Sequence, residues 1–162
     1  MRELALAVGV SRATLYRWVG DREHLLGEIL WSLSEIGLAE AEAHANVSVP
    51  NGGGDWMVAY LARFTELTAG FEPIRRYVEA EGEAALRVLT SRHGVQQRRL
   101  IEAVCRQLER RQAAGELRLR IPPPDLAYVL IRVGESFIWR ELITGDEPDL
   151  ARATEVVRVL LS

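Results

Sequence analysis

A short segment near the start of the chain carries side chains that can hydrogen-bond to phosphates and to the edges of bases. Guanidinium groups present a fork of N–H donors that fits phosphate oxygens or guanine, and hydroxyl groups add single donors. A small apolar side chain can pack on the methyl group of thymine. Together these groups predict an interface for double-stranded DNA. The residues concerned are Arg12, Ala13, Thr14, Tyr16 and Arg17.

The elements that must position these groups are two short helices joined by a glycine-containing turn. The first helix is expected over residues 2–8, and Gly9 after it suits the left-handed position that often ends a helix. Ser11 can cap the start of the second helix, which we expect to end near Val19. Such a pair allows the second helix to lie in a major groove while the first crosses the DNA backbone.

The order of residues along this pair resembles the helix-turn-helix of the TetR family of bacterial repressors. The family pattern Ala-x3-Gly-Val-Ser-x2-Thr-Leu-Tyr is matched from Ala5 to Tyr16. Arg22 stands where the family usually has a lysine, and Val19 where it usually has a phenylalanine. The resemblance implies that Tyr16 and Arg22 bind phosphates, while Arg12, Ala13, Thr14 and Arg17 lie near the bases.

The resemblance also implies a domain organisation and a function. Family members carry one more helix before this pair, so we expect a helix-turn-helix head without its first helix, over residues 1–45 with a connecting helix. Residues 46–162 are then a ligand-binding and dimerisation domain. The implied function is a ligand-responsive regulator, by preference a repressor, that binds a pseudo-palindromic operator as a homodimer and is released by a small-molecule effector.

Helical periodicity continues through the rest of the chain, and no segment alternates apolar and polar residues as a half-buried strand does. The expected fold class is therefore all-α. The expected helices beyond the first two cover residues 21–45, 55–69, 73–80, 83–91, 95–114, 125–144 and 148–161. The inward-facing stripe of the long third helix is expected to be Leu25, Ile29, Leu33 and Ile36, widened by Leu26 and Leu30.

The helix expected over residues 125–144 is apolar on more than one side, so one side can face its own core and the other a partner subunit. Gly134 in its middle costs about 1 kcal/mol of helix propensity, which close approach of a second helix would explain; a tolerated irregularity is the alternative. The last two helices therefore predict a four-helix dimer interface. Its candidate residues are Leu130, Gly134, Phe137, Val157, Leu160 and Leu161.

Aromatic and polar residues on the middle helices are candidates for an effector site, because such sites are apolar cavities with a few polar anchors. Aromatic residues at helical spacing also occur in ordinary cores. Residues 125–150 are similar to the C-terminal domain of the branch that regulates quorum-sensing lactone degradation, which implies a small apolar or lactone-like effector. The candidates are Trp56, Tyr60, Phe64, Leu100, Val104, Tyr128, Arg132, Glu135 and Trp139.

Composition argues against several other classes of protein. The 162 residues, 48% hydrophobic and 27% charged, fit one globular domain or a small head fused to a larger body. Cys105 is the single cysteine, which excludes an internal disulfide and a cysteine-based zinc site. No apolar run approaches the roughly 20 residues of a membrane span, and no signal-peptide pattern is present. We expect a cytoplasmic protein that does not bind membranes.

Catalytic motifs are also missing from the sequence. His24, His44 and His93 stand on separate segments, and none belongs to a metal-binding pattern. The glycine-rich residues 51–54 lack the Lys-Ser/Thr of a phosphate-binding loop. We therefore expect no enzyme, no cofactor and no metal. The alternative to a repressor is a helical small-molecule-binding or interaction module that does not bind an operator.

Overall fold

A computed structural model of the chain describes residues 1–91 and 94–162, and every regular element within these ranges is an α-helix. The predicted all-α fold is confirmed; His93 lies outside the described residues. No helix in these ranges is both long and apolar enough to cross a membrane. The helices are α1 (Arg2–Val8), α2 (Arg12–Val19), α3 (Arg22–Ser48), α4 (Gly53–Gly70), α5 (Glu72–Glu81), α6 (Glu83–Thr90), α7 (Val95–Ala113), α8 (Pro123–Ile138), α9 (Arg140–Thr144) and α10 (Leu150–Leu160).

Local hydrogen bonds fix the ends of the first three helices. Gly9 ends α1 with a φ of 73°, a left-handed conformation that costs glycine little. The Ser11 hydroxyl accepts a hydrogen bond from the amide of Thr14 at 3.0 Å. The Asp21 carboxylate accepts one from the amide of His24 at 2.7 Å. Both acceptors satisfy amides that a helix start leaves without partners, as predicted for Ser11.

The inward face of α3 differs from the predicted stripe. Ile29 and Ile36 are 48% and 68% exposed, so the prediction is wrong for these two residues, whereas Leu30 is buried as expected. The helix carries two neighbouring apolar stripes, and the buried one contains small residues that allow closer packing. Its buried members are Gly27, Leu30, Trp31, Leu38, Ala41 and Ala45.

The helix predicted over residues 125–144 is interrupted. Helix α8 ends at Ile138, and Trp139 adopts φ −95° and ψ 20° before the short helix α9 begins. The Trp139 ring is buried. The interruption therefore occurs where the chain places this large side chain in the protein interior.

Two apolar clusters hold the body together. The main core joins the second half of α3 to α4, α7, α8 and α10, and it contains the fully buried Met57, Val104 and Leu108. The second core packs α5 and α6 against Leu30 of α3 and Trp139. Helix α3 contributes to both cores. Helices α1 and α2 pack on each other outside both cores.

Candidate functional site

The outer face of α2 carries most of the residues predicted to bind DNA. Arg12, Ala13, Tyr16 and Arg17 are exposed, whereas Leu15 is buried. Residues four apart lie on the same side of a helix, so Arg12 and Tyr16 are neighbours, and so are Ala13 and Arg17. The structure brings these four residues together on one surface.

Two residues of α2 differ from the expectation. Thr14 is half-buried, and its hydroxyl lies 2.9 Å from the Ser11 hydroxyl, so it supports the start of the helix. Trp18 was not among the predicted residues, yet its ring is 60% exposed beside Arg17. The sequence signal for Trp18 is its position, a tryptophan on the polar face of a short basic helix.

Arg22 lies at the start of α3 and is paired with the body of the protein. Its Nη2 atom lies 2.8 Å from Oε1 of Glu81, the last residue of α5. Next to it, Glu23 Oε1 lies 3.7 Å from Nε of Arg87 in α6. The guanidinium of the predicted phosphate-binding Arg22 is thus held by a carboxylate of the body, while its side chain stays 49% exposed.

A partly open cavity of about 60 Å³, here called the inner chamber, lies among α3, α4, α7, α8 and α10, with single residues of α5 and α6 in its wall. Apolar residues such as Leu61, Phe64 and Ile131 form most of its wall. The polar residues of the wall are Ser34, Thr65, Thr68, Gln96, Glu135 and Thr154.

A groove of about 270 Å³, here called the outer groove, adjoins the inner chamber between α3, α4 and α5. Its wall includes Leu33, Ile36 and Gly37. The inner chamber and the outer groove share lining residues, so they lie next to each other. The shared residues are Ser34, Phe64, Thr68 and Ile74.

Glu135 is the charged residue at the polar end of the chamber. Its Oε2 atom accepts a hydrogen bond from Arg132 at 2.8 Å, and Arg132 also donates to the carbonyl oxygen of Thr90 at 2.9 Å. The Glu135 side chain is only 13% exposed. Burial raises the pKa of this carboxyl to about 7, against the opposing effect of Arg132. Near neutral pH it can therefore act as donor or acceptor.

Two glutamines of α7 leave polar atoms without partners close to Glu135. Gln96 lines the chamber and donates to the Ser34 hydroxyl at 2.7 Å. Its Oε1 atom and that of the fully buried Gln97 have no hydrogen-bond partner among the residues that the structure describes, whereas the Gln97 amide interacts with the Glu135 carboxylate and opposes the rise of its pKa. Buried polar atoms normally have partners, so this end of the cavity suits a polar ligand group.

The predicted ligand residues divide into two groups. Phe64, Leu100, Glu135 and Trp139 line the inner chamber, and Arg132 holds Glu135. The others do not line it, and for them ligand binding stays a prediction. Trp56 and Tyr60 stack at 5.1 Å inside the main core, because aromatic residues at helical spacing fill space there. Those outside the chamber wall are Trp56, Tyr60, Val104 and Tyr128; Tyr128 is exposed and Val104 is buried in the main core.

Most of the predicted dimer residues face their own subunit. Leu130, Val157 and Leu161 are buried within the single chain, so they present no surface to a partner. Gly134 lines the chamber, where a Cβ atom would lie 3.7 Å from the Thr65 hydroxyl. Within the single chain these four residues thus belong to the core or to the cavity wall, and their place in a dimer interface stays a prediction. Phe137 and Leu160 are half-buried.

Replacing Glu135 by glutamine should flatten the dependence of stability on pH. The raised pKa means that the folded protein keeps a proton that the unfolded chain releases between about 4.5 and 7. The wild type should therefore lose up to about 3 kcal/mol of unfolding free energy as the pH rises through this range. Thermal unfolding at about pH 5 and about pH 8 measures the difference. An equal loss of unfolding free energy in Glu135→Gln would contradict the raised pKa of Glu135.

The sequence and the fold of this chain are similar to those of known proteins. Residues 52–162 match the family described as Tetracyclin repressor-like, C-terminal domain. The structure is similar to that of the R. erythropolis transcriptional repressor QsdR from the TetR family, with a TM-score of 0.86, 25% sequence identity, and coverage of 98% of this chain and 81% of that chain. No curated protein matches the chain.

A second solved structure, of a Rhodococcus sp. protein assigned to the TetR-family transcriptional regulators, has the same fold. Its TM-score is 0.57 at 20% identity, over 99% of this chain and 86% of that chain. These neighbours are transcriptional regulators rather than enzymes. Because the matched family covers more than half of its residues, the chain belongs to the TetR family of transcriptional regulators.

Proposed function

We propose that the protein is a ligand-responsive repressor that binds a pseudo-palindromic operator as a homodimer. A small apolar or lactone-like effector enters the inner chamber and releases the DNA. Residues 1–45 act as the DNA-binding head with its connecting helix, and residues 46–162 as the ligand-binding and dimerisation domain. The observation that carries this proposal is that one helix, α3, joins an exposed basic helix face to a cavity with unsatisfied polar atoms.

The DNA contact is assigned by charge and exposure. Arg12 and Arg17 are exposed on α2 and have the donor geometry for guanine, so they read bases in the major groove. Tyr16 has a single hydroxyl and binds a phosphate. Arg22 at the start of α3 binds a second phosphate, aided by the amide groups of the helix end. Two copies of α2 enter successive major grooves of a two-fold symmetric site.

Substitutions on α2 should separate base reading from phosphate binding. Arg17→Ala should cost roughly 1–3 kcal/mol on a selected operator and relax specificity at one position. Tyr16→Phe should weaken selected and random duplexes alike. Fluorescence anisotropy with both duplexes at several salt concentrations measures these effects. Arg118→Ala, at an exposed position between α7 and α8, is the control. The absence of any salt-dependent duplex binding by the wild type would refute the proposal.

The effector is proposed from the polar atoms that lack partners. The Oε1 atom of Gln96 needs a donor, such as the N–H group of an acyl amide. The Glu135 carboxyl lines the chamber and can be protonated near neutral pH, so it can donate to a lactone carbonyl. An alkyl chain would lie along Phe64 and Ile74 into the outer groove. An N-acyl homoserine lactone combines these groups.

N-hexanoyl homoserine lactone should raise the thermal midpoint of the wild type, since a ligand that binds only the folded state stabilises it by mass action. Gln96→Leu should weaken the ligand by about two- to tenfold, the effect of one lost neutral hydrogen bond. Gln107→Leu makes the same change on the same helix outside the chamber wall and should leave the affinity unaltered. Titration calorimetry measures all three proteins. Equal affinities for the wild type and Gln96→Leu would show that the polar end of the ligand does not bind Gln96.

The dimer interface is proposed on the outer faces of α8 and α10. Phe137 and Leu160 are half-buried in the single chain, and Val159 is largely exposed on α10. Apolar residues on the surface of a subunit are typical of an interface between permanent partners. The buried Leu130 and Val157 support these faces from behind.

A further inference from the structure

The first turn of α3 is tied to the body by two ion pairs, here called the clasp. Arg22 is paired with Glu81 of α5 at 2.8 Å, and Glu23 with Arg87 of α6 at 3.7 Å. Helices α1 and α2 make their main contacts with each other. The clasp is therefore a direct link between the DNA-binding end of α3 and the two helices that form the second core.

Arg22 takes part in two interactions that compete. The Glu81 carboxylate neutralises the guanidinium and holds it toward α5, which weakens the attraction of the same group for a phosphate oxygen. Both side chains remain partly exposed, 49% for Arg22 and 35% for Glu81, so a DNA backbone can reach the guanidinium. We infer that Glu81 competes with DNA for Arg22 and thereby lowers the affinity of the head for any duplex. This inference rests on the proposed phosphate contact of Arg22.

Tyr77 adds a second observation at the same place. Its hydroxyl is buried and has no hydrogen-bond partner in the described part of the chain. The charged groups around it are the four members of the clasp, Arg22, Glu23, Glu81 and Arg87. The hydroxyl is thus available as a donor for Glu81 when Arg22 turns to a phosphate. The carboxylate is then not left without a partner, and this lowers the cost of opening the clasp.

Helix α5 connects the clasp to the effector cavity. Ile74 lines both the inner chamber and the outer groove, and Glu81 lies seven residues further along the same helix. That separation is about 10 Å along a continuous helix. Val78 between them is buried in the second core. A ligand that displaces Ile74 therefore displaces Glu81, which gives the cavity a route to the DNA-binding arginine.

The expected size of the effect follows from the exposure of the pair. Partly exposed ion pairs change an equilibrium constant by about 1.4- to fivefold. A symmetric dimer uses two clasps, so the effect on DNA affinity is the square of this factor, about two- to 25-fold. The effect should be the same for every DNA sequence, because phosphate contacts carry no sequence information.

The test is a double-mutant cycle on the full chain. Affinities for a random-sequence duplex are measured by anisotropy for the wild type, Glu81→Gln, Arg22→Gln and the double variant, at several salt concentrations. Glu81→Gln should tighten binding by about two- to 25-fold in the wild type and have no effect when Arg22 is replaced. Glu79→Gln removes the same charge from an exposed position on the same helix and should change affinity far less.

Each result of the cycle has a defined meaning. Equal tightening by Glu81→Gln with and without Arg22, or by Glu79→Gln, would show general charge repulsion and overturn the clasp. Weaker binding by Arg22→Gln with no effect of Glu81→Gln would overturn the clasp and leave the proposed function intact. An absence of duplex binding by all variants would overturn both. Circular dichroism shows whether each variant is folded.

Discussion

The close packing of α3 against α4 is the interaction on which the rest of the structure depends. Ala41 and Ala45 of α3 are completely buried, and their small side chains let the two helices approach closely. A Cβ atom at Gly37 would lie 3.4 Å from the Phe64 ring, in van der Waals contact at the boundary of the cavity. Since the other end of the same helix begins at Arg22, directly after α2, the position of α1 and α2 depends on how α3 is held in the body.

The interior combines a conventional apolar core with a small polar region that the core does not require. Glu135 and Gln96 line a mostly apolar cavity, and leaving the Oε1 atoms of Gln96 and of the buried Gln97 without partners costs stability. Arg132 offsets part of that cost for Glu135 through an ion pair of 2.8 Å. Polar groups kept under such conditions are typical of binding sites, where a ligand completes the hydrogen bonds.

Local sequence signals predicted the helices well, because a cap or a glycine acts on its own neighbours. Ser11 and Gly9 were correctly placed in this way. Features that depend on tertiary packing were predicted less well from the sequence. Which of the two apolar stripes of α3 is buried depends on the packing surface of α4. For this reason Ile36 was wrongly expected inside. Aromatic residues such as Trp56 do not reveal from sequence whether they fill a core or line a cavity, and Ile74 became a candidate only when the fold brought α5 to the cavity.

The proposed function requires that ligand binding in the cavity and DNA binding by α2 change each other's affinity through α3 and α5. The direct measurement is the affinity of N-hexanoyl homoserine lactone for the protein alone and for the protein saturated with a duplex selected from a random library. Coupling between two sites is reciprocal and typically amounts to a factor of about 5–150. The account predicts weaker lactone binding by the DNA complex within that range. Equal affinity in the two states would contradict it.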